Sequence, residues 1–146
     1  NISMKDWMQN QLQPYLHQII FTGVLVADSL EKVYAESAIA VFPSLWENYP
    51  TVVLEAMAAG VAVAASNKGG IPEIIENKNS GELFNPKSPA EIFRAVDRLL
   101  QNETHRIALA ESARRNVIEL QDKLAHRETI SKLFLSLSKK NAGAES

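Results

Sequence analysis

The feature that most constrains this sequence is a polar loop leading into a short helix, residues 47–60, between two apolar runs. The first run, residues 38–42, is apolar on both faces, as expected of a strand covered by helices on each side. Pro50 suits the first helical turn, Asn48 can cap the helix from just outside, and Gly60 stands where helices commonly end. Because a second apolar run follows, the order of strand, loop, helix and strand predicts an α/β fold with a parallel sheet flanked by helices.

The same reasoning gives the remaining elements. Strands are predicted over 19–22, 38–42, 61–65 and 81–84. Helices are predicted within 1–14, over 30–37, 50–60 and 72–76, and then as three segments that begin at Ser88, after Thr104 and near Asp122. The helix after Ser88 has a 3.6-residue apolar period, and its predicted buried face consists of Ile92, Phe93, Val96, Leu99 and Leu100.

The loop before the helix is a predicted anion site. Ligands of open parallel sheets bind at the carboxyl ends of the strands, and a helix N-terminus offers free N–H groups and the positive end of its dipole. Glu47 in the loop could accept hydrogen bonds from hydroxyl groups. Glu55 lies about 7.5 Å along the helix from Pro50, at ~1.5 Å per residue, in an otherwise apolar segment where a carboxylate needs a partner.

A nucleotide-sugar has hydroxyl groups on both sides of a diphosphate and would use all of these features. The alternative is that Glu47 is a solvated loop residue and that Glu55 forms a salt bridge with a neighbouring helix. The spacing of the two residues does not choose between these interpretations.

A second polar loop, residues 66–70, follows the next predicted strand. Lys68 is a candidate phosphate or sugar contact, or else a solvated loop lysine. Gly69 and Gly70 permit close approach of the backbone to a ligand or a second domain, and they equally permit a tight turn.

Several motifs together resemble one enzyme family. Glu47 and Glu55 match the E-x7-E signature of retaining, nucleotide-sugar-dependent glycosyltransferases of the GT-B architecture, in particular family 4, the "group 1" transferases. The resemblance covers roughly residues 18–117. Its other motifs are Phe21-Thr22-Gly23, Leu30 to Tyr34, Phe42 to Glu47, Leu54 to Gly60, Gly69 to Ile75 and Ser80 to Phe84.

The resemblance implies roles for these residues. Glu47 would contact hydroxyl groups of the donor sugar, in a sugar and phosphate site that spans Glu47, Asn48, Tyr49, Pro50 and Thr51. Within that site, the backbone N–H groups of Tyr49 and Thr51 would meet the pyrophosphate or sugar. Glu55 would hold the ribose. Two further assignments follow the same resemblance: Val24 and Leu25 lie against the nucleotide base, with plain core packing as the alternative, and Lys68, Gly69 and Gly70 form a cleft loop.

The resemblance also predicts the organisation of the chain. Residues 1–120 would be a partial, Rossmann-like C-terminal donor-binding domain, 121–140 a C-terminal helix and 141–146 a frayed tail. The family's G-R-x-x-x-x-K-G-like phosphate clamp has no match, so we expect a fragment that lacks the N-terminal acceptor domain and is inactive alone. The expected partners are a nucleotide-sugar donor and that missing domain.

Composition limits the other function classes. The 146 residues suit one domain with a sizeable core, and a net charge of −2 gives no reason to expect nucleic-acid binding. There are no cysteines, and the three histidines have no metal-ligand spacing. With no Asp-x-Asp motif either, we expect neither a metal nor another cofactor. No apolar run suggests a signal peptide or a membrane span. We therefore expect a cytoplasmic protein, which in its full length could associate with the cytoplasmic membrane face.

The leading hypothesis is a hexosyltransferase that uses a nucleoside-diphosphate sugar and a sugar or lipid-linked acceptor, with retention. One alternative is a non-catalytic nucleotide-sugar-binding or interaction module with the same fold. Another is a GT-B epimerase or phosphorylase, which would need further domains and motifs.

Overall fold

The computed structural model describes residues 2–124. The chain divides into two compact units, Asn1–Lys32 and Val33–Ser146. Most of the predicted C-terminal helix over 121–140, and the whole predicted tail over 141–146, lie outside the described residues.

The second unit is built on a parallel sheet of three strands, β1 (Ile39–Phe42), β2 (Ala62–Ser66) and β3 (Glu82–Phe84), in the order β1-β2-β3. The predicted α/β class is therefore confirmed. All three carboxyl ends lie at the same edge of the sheet, since the strands are parallel. That edge carries the loop after β1 and the loop after β2.

A helix directly precedes β1, and a helix follows each of the three strands. The helices are α2 (Ala27–Ala35), α3 (Thr51–Ala58), α4 (Ile71–Ile74), α5 (Pro89–Gln101) and α6 (Glu103–Leu124). Ser88 caps α5 by accepting a 3.4 Å hydrogen bond from the backbone N–H of Glu91. The prediction of a new helix near Asp122 is wrong, because α6 continues to Leu124 and no proline or glycine interrupts it.

The core is divided between the two faces of β2, whose five residues are all buried. Val63 and Ala65 pack against α3, α4 and α6, whereas Ala62 and Ala64 pack against α5 and α6. This division follows from the alternation of side chains along a strand. The small alanine side chains leave room for helices to lie close to the sheet on both faces.

Three predictions of burial are wrong. β1 is an edge strand that is only half-buried, with Val41 exposed, because it has one neighbouring strand. Phe93 and Leu100 of α5 are exposed, at 69% and 59%. They lie at the margins of an apolar stripe whose centre is formed by Ala95 and Leu99, both fully buried.

The first unit contains α1 (Met4–Gln11), which confirms the predicted N-terminal helix, and a 3-10 helix, Gln13–Gln18. Ser3 caps α1 by accepting a 3.1 Å hydrogen bond from the N–H of Asp6. The predicted buried strand over 19–22 is wrong: it joins no sheet, and Ile20 is 88% exposed. An apolar run becomes a strand only where a partner strand completes its hydrogen bonds.

Candidate functional site

The loop after β1, residues 43–50, leads into the N-terminus of α3. Pro50 is the capping residue, with φ −76° and ψ 104°, and no side chain caps the helix. The predicted cap by Asn48 is wrong, because its Oδ1 accepts a 3.2 Å hydrogen bond from Trp46 Nε1 instead. The first turn also contains no acidic side chain. Its Val53 N–H donates a 3.1 Å hydrogen bond to the Pro50 carbonyl, whereas the N–H groups of Thr51 and Val52 have no partner among the described residues and are left for an external acceptor.

The far end of α3 behaves as predicted. Gly60 has φ 77°, and its N–H donates a 3.0 Å hydrogen bond to the carbonyl of Met57. The helix thus ends in the left-handed conformation that glycine adopts most readily.

Glu55 lies on α3 and is exposed. Among the described residues its carboxylate has no hydrogen-bond or ion-pair partner, so the alternative of a salt bridge to a neighbouring helix is not observed there. The carboxylate does not need the protein partner that the apolar segment predicts, since water can solvate an exposed carboxylate. Glu55 is accessible to a ligand.

Tyr49, Thr51 and Glu55 line one open cavity of about 280 Å³ between α3 and α6. Its other lining residues are apolar: Leu54, Ala58, Val117 and Leu120. Glu47 is not in the lining. A hydroxyl group of a ligand in this cavity could reach polar groups at one side while an apolar part lies against α6.

Glu47 and Asn48 meet the loop after β2 through the backbone. The N–H of Gly70 donates a 2.8 Å hydrogen bond to the carbonyl oxygen of Glu47. A Cβ added at Gly69 would overlap the backbone of Glu47, and one added at Gly70 would overlap the carbonyl of Asn48. The close approach that the glycines allow is therefore to another loop of the same chain, which the sequence did not indicate.

The other predicted site residues are Lys68, Val24 and Leu25, none of which lines the cavity beside α3. Lys68 is exposed, and its backbone N–H donates a 3.2 Å hydrogen bond to Ser66 Oγ. Val24 and Leu25 belong to the first unit, where Val24 is fully exposed and Leu25 half-buried. Core packing, the alternative role, does not describe Val24, and a place beside the base stays a prediction for both.

Tyr34 contacts the first turn of α3, and the sequence did not indicate that this residue belongs to the site. Its hydroxyl group donates a 3.2 Å hydrogen bond to the carbonyl of Val52, in the first turn of α3. Burial raises the pKa of Tyr34, and the negative charge of Glu55 raises it further. No spacing rule could have found this contact, because the two residues are 18 positions apart in different helices.

A second cavity, of about 380 Å³, lies between α4 and α6. Glu73, Glu76 and Glu119 contribute to its lining together with Asn116. Three carboxylates repel an anion, so this cavity is a poor place for a phosphate.

The most buried carboxylate of the described chain is that of Glu82, the first residue of β3, which is 1% exposed. It accepts hydrogen bonds of 2.6 and 3.2 Å from Arg98 and pairs with His105 at 3.3 Å. Burial alone would raise the pKa of Glu82, but Arg98 and His105 outweigh it and hold that pKa below its ordinary value. Since Glu82 begins its strand, it stands away from the edge of the sheet that carries the loops.

Comparison with known proteins identifies the family. The sequence profile described as "Glycosyl transferases group 1" matches residues 2–116. The chain belongs to this family of glycosyltransferases.

The relatives show how much of a longer protein the chain covers. An uncharacterized glycosyltransferase, MJ1607 of Methanocaldococcus jannaschii, is 38% identical over 103 residues, which is 70% of this chain and 26% of that protein. The chain thus spans about a quarter of the length of this relative.

Two solved structures have a similar fold. The C-terminal domain of a glycosyl transferase group 1 family protein, LpcC of Francisella tularensis, is 29% identical with a TM-score of 0.68, over 80% of this chain and 64% of that one. HepE of Anabaena, in complex with UDP-glucose, is 19% identical with a TM-score of 0.77, over 92% of this chain and 38% of that one. The second likeness shows the fold alone.

Within residues 2–124, no helix is both long and apolar enough to cross a membrane.

Proposed function

We propose that this chain is the donor-binding part of a glycosyltransferase that transfers a hexose from a nucleoside-diphosphate sugar, with retention at the anomeric carbon, to a sugar or lipid-linked acceptor. The observation that carries the proposal is the uncapped N-terminus of α3, which lies at the carboxyl edge of the sheet. The cavity formed by Tyr49, Thr51 and Glu55 adjoins it. Membership of the group 1 family supports the reaction class, and the similarity to the LpcC C-terminal domain supports the domain assignment.

In this proposal the parts of the donor lie in order along the loop and the helix. Glu47 accepts hydrogen bonds from hydroxyl groups of the sugar. The N–H groups of Tyr49 and Thr51 bind the diphosphate, and Glu55 binds the hydroxyl groups of the ribose. HepE, which has the same fold, was crystallised with UDP-glucose, a donor of this class.

The chemical contribution of these residues is electrostatic. When the bond between the sugar and the diphosphate breaks, negative charge develops on the departing phosphate oxygen. Fixed N–H groups and the dipole of α3 stabilise that charge without having to reorganise. The acceptor site and any proton transfer would belong to another part of the protein.

The proposal includes neither a metal nor an organic cofactor. No group of three or more histidine or carboxylate residues suited to holding a metal is found among the described residues. The sequence has no Asp-x-Asp motif, and on that ground we expect activity to persist when EDTA is added to the full-length protein.

The experiment that tests the proposal is sugar transfer by the full-length protein. We would supply radiolabelled UDP-glucose, GDP-mannose and ADP-glucose with a mixture of sugar and lipid-linked acceptors, and determine the anomeric configuration of the product. Transfer with retention from one of these donors is the expected result. Binding of a donor without transfer would favour a non-catalytic nucleotide-sugar-binding module instead.

A further inference from the structure

We propose that Gly69 and Gly70 are a positioning pair, which holds the Glu47 loop in place and so sets the sugar end of the donor site. The proposal rests on the proposed function, because it takes Glu47 as the residue that contacts the donor sugar. In this view the two glycines touch no ligand and act through Glu47.

The hydrogen bond from the Gly70 N–H to the Glu47 carbonyl oxygen is the main tie on the loop after β1. Within the described chain, no other hydrogen bond joins residues 43–49 to a different element. The Trp46–Asn48 hydrogen bond stays inside the loop. The position of Glu47 therefore depends on the backbone of Gly70.

Gly70 is itself held in place by the helix that follows it. It is the N-cap of α4, and that helix is anchored by Ile71 and Ile74, both buried in the core with Val63 and Ala65 of β2. A chain of contacts thus leads from the core through α4 and Gly70 to Glu47. The core side of this chain is the more rigid one, since packed interiors resist displacement.

A position can require glycine because of its backbone conformation or because a neighbouring atom leaves no room for a side chain, and the backbone angles distinguish these two reasons. Gly70 has φ −82°, an ordinary right-handed value that any residue can adopt, so its conformation does not require glycine. What excludes a side chain at Gly70 is the carbonyl of Asn48. Gly69 has a φ of 63° and also lacks room for a side chain, so both reasons apply to it. Gly60 has a φ of 77° but no atom within 4 Å of an added Cβ, so only its conformation favours glycine.

Gly70→Ala in the full-length protein isolates the contact, because alanine tolerates this backbone conformation. The methyl group must push the loop away, and Glu47 moves with it. We expect kcat/KM for the donor to fall about 10- to 100-fold, as for misplacement of a positioning group by about 1 Å. Affinity for the nucleoside diphosphate should fall less than kcat/KM, because the displaced Asn48 carbonyl shares its peptide group with the Tyr49 N–H, whereas Thr51 and Glu55 are untouched. Donor kinetics would be measured with UDP-glucose, GDP-mannose and ADP-glucose, and affinity with UDP, GDP and ADP.

The matched control is Gly60→Ala, which strains φ at a position open to solvent and at the other end of α3. It should lower Tm and leave the kinetic constants unchanged. A purely structural role for Gly70 predicts either the behaviour of this control, a lower Tm with unchanged kinetic constants, or equal losses of donor turnover, diphosphate affinity and Tm. Either result for Gly70→Ala would overturn the proposal.

Two further measurements keep the outcomes distinct. If Gly70 acts mainly through Glu47, the double variant Glu47→Ala/Gly70→Ala should lose much less kcat/KM than the sum of the two single losses, and fully additive losses would contradict this. Should Glu47→Ala lower turnover while Gly70→Ala does not, the positioning role fails and the proposed function stands. Should Glu47→Ala itself have no effect, the proposed role of Glu47 fails.

Hydrogen exchange on the unmodified protein needs no variant to fold. The Gly70 amide should be protected, because it is bonded to Glu47, and fast exchange at Gly70 would also overturn the proposal.

Discussion

Glu55 stands exposed on α3 beside Tyr49 and Thr51, with no described protein partner for its carboxylate. A structural glutamate would have a protein partner or be interchangeable with any other polar residue. A glutamate that binds the ribose instead contributes to the affinity for the nucleotide, and this contribution can be measured.

We expect Glu55→Gln in the full-length protein to weaken UDP, GDP or ADP binding. The loss of one charge-assisted hydrogen bond is worth about 1.5–3 kcal/mol, which is roughly a ten- to a hundredfold change in affinity. Glu111→Gln is the control, because Glu111 is an exposed glutamate of α6 that lines neither cavity. Isothermal titration would decide, and an unchanged diphosphate affinity in Glu55→Gln would remove the ribose assignment.

At the scale of single residues, the sequence predicted conformations better than contacts. The ending of α3 at Gly60 followed from local rules on helix ends, and so did the capping of α5 by Ser88. Asn48 does not cap α3, because its side chain accepts a hydrogen bond from Trp46 instead. A side chain at position 70 is excluded by the carbonyl of Asn48, more than 20 residues away in the chain. Such contacts depend on the folded chain and leave no local pattern.

At the scale of elements, the strand predictions depended on partners. The run 61–65 was identified correctly because β2 lies in the middle of the sheet and is apolar throughout. The run 19–22 has a similar composition but no partner strand, and β1, with one neighbour, is only half-buried. Composition alone cannot distinguish these cases, because strand pairing is a non-local property.

The buried Glu82 links β3, α5 and α6, so its ion pair should matter for the stability of the unit. We expect Arg98→Met to destabilise more than Glu82→Gln. Removing Arg98 leaves a carboxylate that water cannot reach, with His105 as its remaining partner, and should cost about 1–3 kcal/mol. Removing the charge of Glu82 leaves Arg98 nearly half exposed and able to hydrate. Urea unfolding would measure both, with Arg94→Met of the same helix as the control; the opposite ranking would contradict this account.

The same residue predicts a dependence on pH. Because the pKa of Glu82 is lower in the folded chain than its usual 4.5, its ionised form stabilises the fold above that value. This contribution is lost as pH falls below 4.5 and through the lowered folded pKa. The free energy of unfolding should therefore decrease in acid for the unmodified protein and decrease less for Glu82→Gln. Parallel curves for the two proteins would show that Glu82 does not contribute.

At the scale of the whole molecule, the chain corresponds to about a quarter of MJ1607. We expect residues 1–146 alone to transfer no sugar, because the cationic clamp and the acceptor domain that the family resemblance implies have no match in this sequence. The assay would compare the purified chain with the full-length protein on the same three nucleotide-sugars. Turnover by the isolated chain would show that the predicted domain boundaries are wrong.

The central claim is that the loop and α3 bind the two ends of one nucleotide-sugar. Glu47 comes before the helix and Glu55 lies within it, so they should affect different parts of the donor. Glu47→Ala should lower kcat/KM for the donor, and this fall should correspond to a loss of a few kcal/mol of transition-state stabilisation. Its affinity for the diphosphate should stay nearly intact. Glu55→Gln should weaken both.

The most direct measurement is one set of titrations and rate measurements, on Glu47→Ala, Glu55→Gln and the unmodified full-length protein, with the diphosphate and its nucleotide-sugar. The two variants should differ in diphosphate affinity, with Glu55→Gln binding more weakly, while both lose donor turnover. If Glu47→Ala instead loses diphosphate affinity, donor turnover and Tm to the same extent, then Glu47 merely braces its loop beside Trp46 and Tyr49, and the central claim is contradicted.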